Sequence, residues 1–214
     1  ALGEKKKKEA FRIKHLAGRV HQRIIERKLG ELLKEEEDGF DLAHAALLVS
    51  SIDNPELEAA PYLELLQRFS LELKDRLDGV TEPGKRLQGL VDYFTTELGF
   101  RGSRMEYYNK ANSYLNEVID DREGLPISLS VLFMELGRKS GLELEGIGVP
   151  RHFIVRHKPA KAETALIDVF DKCRLISIED ASRLSGTQLT EADLVPSTKR
   201  DILERMVRNL QNAA

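Results

Sequence analysis

The chain has 214 residues, of which 41% are hydrophobic and 32% are charged, and its formal net charge is -3. This composition is typical of a globular chain of one or two domains. The charge gives no general attraction to nucleic acid, and the sequence has no run of about 18 apolar residues to span a membrane. We therefore expect neither nucleic-acid nor membrane partners. The single cysteine excludes an internal disulfide and favours a reducing compartment, so we expect a cytoplasmic protein.

Residues 1–38 are predicted to form a charged helical arm. Apolar residues recur there at steps of three and four among Lys, Arg and Glu, which indicates a long amphipathic helix over residues 4–37. The basic run at residues 5–8 is followed closely by acidic residues, so we interpret it as a solvated helix end. The acidic run at residues 35–38, followed by a glycine, marks the predicted boundary with the next domain.

Residues 39–121 are predicted to contain several separate helices. Asp41 is placed to cap the first helix, and residues 61–77 and 83–98 each begin with proline and carry apolar residues at helical spacing. Residues 111–121 predict a further helix. These helices are expected to support the more informative segment that follows.

Residues 126–140 are predicted to form a buried central helix. Pro126 suits the first helical turn, where its missing N–H is not needed, and Gly141 suits the left-handed position just after the helix. Apolar residues between these two positions cover more than one face. A helix of this kind packs in the protein interior.

The pattern changes to that of β-strands after Gly141. Residues 142–148 alternate, and residues 152–156 and 164–170 are rich in β-branched and aromatic types, which predicts three antiparallel strands. Residues 174–176 suggest a short additional strand. The sequence therefore predicts an α+β fold, with a helical N-terminal part, a buried helix and a small antiparallel sheet.

A histidine and a carboxylate are predicted to meet on this sheet. If the hairpin loop of residues 157–163 is symmetric about Ala160, His152 lies directly opposite Asp168, and opposed residues point to the same face. In a nucleophilic triad the carboxylate orients the imidazole, which deprotonates the nucleophile. The pair thus supplies two of the three groups, and we expect it to be hydrogen-bonded.

The segment NSYLNEVIDDREGLPISLSVLFMELGRKSGLELEGIGVPRHFIVRH carries a family resemblance. Together with the flanking motifs, over residues 39–211, it resembles the SirB-type branch of the transglutaminase-like, papain-related superfamily. The resemblance implies a nucleophilic cysteine at the start of the buried helix, where this chain has Leu125, Pro126, Ile127 and Ser128. It also implies glycine where Arg151 stands and a different loop at residues 168–173.

The missing cysteine leaves several functions open. One is a non-catalytic transglutaminase-like module that binds a protein or peptide through the former cleft. Another is a hydrolase or acyl-transferase in which Ser128 attacks, His152 is the general base and Asp168 orients it. A third uses Cys173, although it follows the aspartate strand rather than the helix.

Polar residues before the buried helix are a second group of candidates. Asn112, Asn116 and Arg122 combine amide groups with a planar fork of donors. They are expected either to clamp the turn at residues 122–125 or to line a cleft that binds a carboxylate or peptide backbone. Arg151, next to His152, is a further binding candidate.

No metal or cofactor is expected. His152 and His157 are five residues apart on one strand and therefore point to opposite faces. The predicted domain spans residues 39–196, and residues 197–214 are expected to contain a C-terminal helix. The resemblance implies that helical repeats follow such a helix, so this chain either lacks them or was trimmed before them. The missing initial Met suggests processing or a segment cut from a longer protein, and in the second case we expect an adjoining domain or repeats in the parent chain.

Overall fold

The structure is a computed structural model that describes residues 2–34, 36, 39–105, 107, 109–159 and 164–212. Within these residues it has eight α-helices: α1 Leu2–Leu32, α2 Leu42–Ser50, α3 Ala59–Arg76, α4 Pro83–Asp92, α5 Leu115–Asp121, α6 Pro126–Lys139, α7 Ile178–Ser185 and α8 Lys199–Asn212. The strands are β1 Arg101–Gly102, β2 Glu123–Gly124, β3 Leu144–Val149, β4 His152–His157, β5 Ala165–Asp168 and β6 Arg174–Ile176. The α+β fold class is confirmed.

Helix α6 is the centre of the molecule. It begins at Pro126 and is capped by Ser140, with Gly141 at a φ of 81° just beyond, so its predicted limits are confirmed to within one residue. All its residues from Pro126 to Gly137 are buried. The helix contacts α3 on one side and the strands β3 and β4 on the other.

Strands β3, β4, β5 and β6 form one antiparallel sheet in that order. Phe153, Val155 and Ile167 belong to the main core that contains α6. Ile154 and Leu166 instead belong to a smaller apolar cluster that α7 helps to close. The alternation along the strands therefore covers both faces of the sheet, which explains why β4 is buried along its whole length.

The register of the β4–β5 hairpin differs from the symmetric prediction. Val155 faces Ile167 and Arg156 faces Leu166, so the centre lies at position 161 rather than 160. His152 and Asp168 are consequently offset by two residues instead of directly opposed. A two-residue offset keeps them on one face, because side chains alternate with a period of two. Residues 160–163 of the predicted loop lie outside the described residues.

Two of the predicted helices are interrupted. The polypeptide of residues 83–98 continues from α4 into a π-helical turn, Tyr93–Glu97. Residues 111–121 do not form one helix: a short 3-10 turn, Lys110–Ser113, precedes α5, and Tyr114 between them is extended. The extended residue brings the carbonyl of Asn112 towards the start of α6, where it accepts a hydrogen bond from the backbone N–H of Leu125.

Helices α1 and α8 contact the rest of the molecule differently. The C-terminal part of α1 packs on the main core through the partly buried Leu29 and Leu32, and Ile25 of the same part is buried. Helix α8 contributes Ile202 and Met206 to that core. The predicted break at residues 35–38 falls mainly outside the described residues. None of the helices in the described part of the chain is long and apolar enough to cross a membrane.

Candidate functional site

His152 and Asp168 form a buried hydrogen-bonded pair, as predicted. His152 Nε2 lies 2.9 Å from Asp168 Oδ1, and both side chains are buried. A carboxylate only accepts hydrogen bonds, so the imidazole Nε2–H is the donor. The same Oδ1 also accepts from the backbone N–H of Asp171 at 3.3 Å, which helps to hold the carboxylate. Within the described residues, His152 Nδ1 has no hydrogen-bond partner.

A tight turn places His152 at the start of β4. Val149 pairs with His152, which leaves Pro150 and Arg151 as the two turn residues, and Arg151 has a φ of 61°. Proline followed by a positive φ is the pattern of a type II turn, whose second central position favours glycine. Arg151 therefore stands at a strained position, and its exposed side chain extends from the turn.

Arg205 of α8 fixes this turn from outside. Its Nη2 donates to the carbonyl of Val149 at 3.0 Å and to the carbonyl of His152 at 2.8 Å. Its guanidinium also lies over the ring of Phe153, 5.7 Å from the centroid. Partial burial lowers the pKa of Arg205, because desolvation disfavours its charge.

A pocket of about 460 Å³ opens beside the pair. Its lining residues come from the α6 start, the His152 turn, helix α8 and the loop before α5: Tyr107, Pro126, Ile127, Arg151, His152, Phe153, Arg205, Asn209 and Asn212. Among the described residues, the lining includes two arginines and no carboxylate. The pocket is thus locally basic in a chain whose net charge is negative.

The start of α6 presents no nucleophilic atom to this pocket. Its two lining residues there are Pro126 and Ile127, which have hydrocarbon side chains. Ser128, the next residue, is fully buried and lies outside the lining. The described residues therefore combine an oriented imidazole with an apolar surface where the resemblance implies a cysteine.

The hydroxyl of Ser128 is already saturated by the backbone. Ser128 Oγ accepts from Leu125 N at 3.0 Å and lies 2.8 Å from the carbonyl of Asn112, to which it donates. The carbonyl of Leu125 is a further acceptor at 3.1 Å. Gly124 leaves room for this arrangement, since an added Cβ would lie 2.8 Å from Ser128 Oγ. Ser128 thus joins the turn before α6 to the helix, and it has no hydrogen bond with His152.

Cys173 follows β5 and is buried. Burial raises the pKa of its thiol, and the charge of Asp168 raises it further. The thiolate is the nucleophilic form of cysteine. The position therefore suppresses the nucleophilicity of Cys173.

The other predicted binding residues are divided between two places. Arg151 lines the pocket, whereas Asn112, Asn116 and Arg122 do not. Arg122 has a φ of 60° and places its guanidinium 4.8 Å from the centroid of the Phe100 ring. Asn116 is buried, and its Nδ2 donates to Glu117 at 2.9 Å. The carbonyl of Asn112 bonds to the turn before α6, whereas Asn116 Oδ1 and Arg122 Nη1 are buried without a hydrogen-bond partner among the described residues. The predicted side-chain clamp therefore stays a prediction.

Sequence reasoning missed four polar pocket residues, Tyr107, Arg205, Asn209 and Asn212. The spacing of Arg205 within an amphipathic helix does not distinguish it from a solvated arginine. Its only signal was its place in the segment DILERMVRNLQ, which belongs to the family resemblance. The described residues hold no group of three His, Cys, Asp or Glu side chains suited to a metal ion.

Comparison with known proteins identifies the class. A family model described as "Transglutaminase-like superfamily" matches residues 60–208, so the chain belongs to that superfamily. A UPF0162 protein of Xylella fastidiosa (strain Temecula1) is 31% identical over 186 residues, which cover 83% of this chain and 66% of that protein. F-box only protein 21 of Mus musculus is 35% identical over 122 residues, which cover 53% of this chain and 19% of that protein.

A UPF0162 protein of Vibrio cholerae is 31% identical over 124 residues, covering 58% of this chain and 46% of that protein. The chain therefore spans less than two thirds of the length of the bacterial relatives described here. The comparison with solved structures found no match.

Proposed function

We propose that this chain is a SirB-type transglutaminase-like domain without catalytic activity, which binds a protein or peptide through the pocket beside His152. The observation that carries the proposal is the apolar α6 start: Pro126 and Ile127 line the pocket together with His152. Transglutaminase-like chemistry needs a nucleophile at this place, and these two side chains have none.

The chemistry of the lining suggests the ligand. Arg151 and Arg205 carry positive charge, and the amides of Asn209 and Asn212 offer donors as well as acceptors. Arginine binds carboxylates with two parallel hydrogen bonds. We therefore propose that the bound segment presents an acidic side chain or a C-terminal carboxylate to this pocket.

The alternative function is a hydrolase or acyl-transferase that uses Ser128. It has one observation in its favour, the intact hydrogen bond between His152 and Asp168. Against it, Ser128 is buried and its hydroxyl is bonded to backbone groups on both the donor and acceptor sides. Attack by Ser128 would require the turn before α6 to open.

The relatives suggest a wider context. Because the match covers only part of each relative, we propose that the domain functions next to another domain or to helical repeats in a longer parent chain. The single cysteine supports a reducing compartment such as the cytoplasm. The proposed division remains an arm of residues 1–38, a domain of residues 39–196 and a C-terminal segment of residues 197–214.

Peptide selection tests the binding function. Random peptides displayed on phage are selected against the parent and then measured on Asn209→Trp, whose larger side chain fills the pocket from α8. The matched control is Arg208→Trp, which alters an exposed neighbour on the same helix and does not line the pocket. We expect the selected peptides to be enriched in Asp and Glu, and Asn209→Trp to weaken their binding at least about tenfold, equivalent to about 1.4 kcal/mol.

If both tryptophan variants lost binding equally, or if neither variant lost binding, the pocket would not be the binding site. A parallel assay measures hydrolysis of generic ester and amide substrates by the parent, His152→Gln and Ser128→Ala. We expect no turnover in the parent. Turnover that is present in the parent and lost in both variants would establish the hydrolase instead.

A further inference from the structure

Helix α1 carries an exposed apolar stripe that has no partner in the described structure. Ile13, Leu16, Val20 and Ile24 are spaced three or four residues apart and so lie on one side of the helix. Leu16 and Val20 are each 58% exposed. A surface helix normally turns its apolar side towards a core. This side of α1 faces solvent instead, and it extends well beyond the part of the helix that packs on the domain.

The stripe ends at an open groove with an apolar floor. The groove has a volume of about 660 Å³ and lies between the C-terminal half of α1 and the connection from α2 to α3. Its apolar lining residues are Ile24, Ile25, Leu32, Leu48, Pro55, Leu57 and Ala59. Ile24 therefore belongs both to the stripe and to the groove.

The two ends of this surface carry opposite charges. Residues 6–14 of α1 contain five basic side chains and one acidic side chain. Residues 52–58, which form the far wall of the groove, contain three acidic side chains and no basic one. Glu31 and Glu58 line the groove together with Lys28 and two histidines, His21 and His44. A basic amphipathic helix is thus the complementary ligand for this groove.

The basic half of α1 cannot reach the groove of its own chain. Helix α1 is continuous from Leu2 to Leu32, so about 27 Å of rigid helix separates residue 10 from residue 28, at about 1.5 Å per residue. A second copy has no such restriction. In a two-fold arrangement each basic half would enter the groove of the other copy, and the same contact would form twice.

We propose that this chain forms a two-fold dimer in which the N-terminal half of α1 of one copy docks in the groove between α1 and the α2–α3 connection of the other. Ile13 and Leu16 supply apolar contacts to the groove floor. The basic residues beside them face the acidic wall. This surface is separate from the pocket beside His152, because no residue lines both.

Sedimentation velocity over a wide range of protein concentration tests the dimer. The variant Leu16→Glu places a charge in the stripe, and the control Gln22→Glu adds the same charge at an exposed position away from the stripe on the same helix. We expect the parent and Gln22→Glu to dimerise, and Leu16→Glu to raise the dimer dissociation constant at least about tenfold. Circular dichroism checks that the helix content is retained.

Charge reversal tests the arm-in-groove arrangement. The pair of changes Glu56→Lys and Glu58→Lys should weaken the dimer, as should Lys7→Glu with Lys8→Glu, and the combination of all four should restore much of the affinity. High salt should also weaken the parent dimer, because exposed charges are screened.

A parent that stays monomeric at every concentration would overturn the proposal, and the stripe would then belong to another partner or to another part of a longer chain. A dimer that Leu16→Glu leaves intact would also overturn it. If Glu56→Lys with Glu58→Lys weakened the dimer but the fourfold variant did not regain affinity, docking in the groove would be overturned. Direct pairing of two α1 helices would then be favoured.

Discussion

Two buried polar groups flank the start of α6, and they differ in how completely their hydrogen bonds are satisfied. Ser128 bonds to the backbone on its donor and acceptor sides and joins the preceding turn to the helix. His152 uses one ring nitrogen for Asp168, while the other has no hydrogen-bond partner among the described residues and the side chain lines a pocket. A saturated polar group stabilises the fold, whereas a group with spare capacity beside a pocket is available to a ligand. The comparison assigns a structural role to Ser128 and agrees with the binding role proposed for the pocket beside His152.

The largest effect is expected for Ser128→Ala. Removal of the hydroxyl leaves the buried N–H of Leu125 with one hydrogen bond fewer and removes the hydrogen bond to the carbonyl of Asn112. We therefore expect the free energy of unfolding to fall by about 2 kcal/mol. Urea unfolding measures the change. The matched control is Ser130→Ala on the same helix, whose equally buried hydroxyl donates only to the carbonyl of Pro126. Equal losses in the two variants would refute the special role of Ser128.

A smaller loss of stability is expected for His152→Gln. The glutamine amide can still donate to Asp168, and the pocket side of His152 makes no hydrogen bond that would be lost, so we expect a decrease of about 1 kcal/mol or less. Urea unfolding under the same conditions allows direct comparison with Ser128→Ala. A larger loss than that of Ser128→Ala would reverse the assignment of stability and binding to the two groups.

The smallest effect at neutral pH is expected for a third polar residue of α6, Glu135. Burial raises the pKa of its carboxyl group, and the charge of Asp41 raises it further. The folded state therefore binds a proton more tightly than the unfolded state does. Stability from this group is greatest below the unfolded pKa of 4.5 and declines as the pH rises through the folded pKa.

Glu135→Gln should remove that decline. We expect the variant and the parent to have similar melting temperatures below about pH 4 and the variant to be slightly more stable at about pH 8. Thermal unfolding across this range measures the difference. A parent that gains stability relative to Glu135→Gln as the pH rises would show that the neighbouring Lys139 and Arg138 stabilise the carboxylate enough to outweigh its burial.

The parts of the fold that were predictable from sequence depend on local signals. Pro126 fixes φ at the start of α6, and Gly141 can adopt the positive φ needed just after its end, so the limits of α6 could be found without knowing its neighbours. The strands were detectable for a similar reason, through alternation and β-branched residues. The register of β4 and β5 was not, because in a hairpin the turn type as well as the length of the connection fixes the register.

The site was only partly predictable because it combines distant segments. The predicted register placed His152 directly opposite Asp168, whereas the two are offset by two residues in the structure. They still lie close together, because an even offset keeps both side chains on the same face of the sheet. Arg205 lies 53 residues after His152 in the chain and reaches the site through the packing of α8. Its residue type alone makes Ser128 a candidate nucleophile. Only the three-dimensional contacts show that its hydroxyl is hydrogen-bonded to backbone groups instead.

Arg205 also couples the position of α8 to the geometry of the pocket. One of its nitrogens holds the carbonyls at both ends of the Pro150 turn, so the helix and the turn cannot move independently while these bonds persist. A mechanical pull on α8 is therefore transmitted to the backbone that carries His152. Because Arg205, Asn209 and Asn212 of α8 also line the pocket, a displacement of this helix would change the turn and one wall of the pocket together.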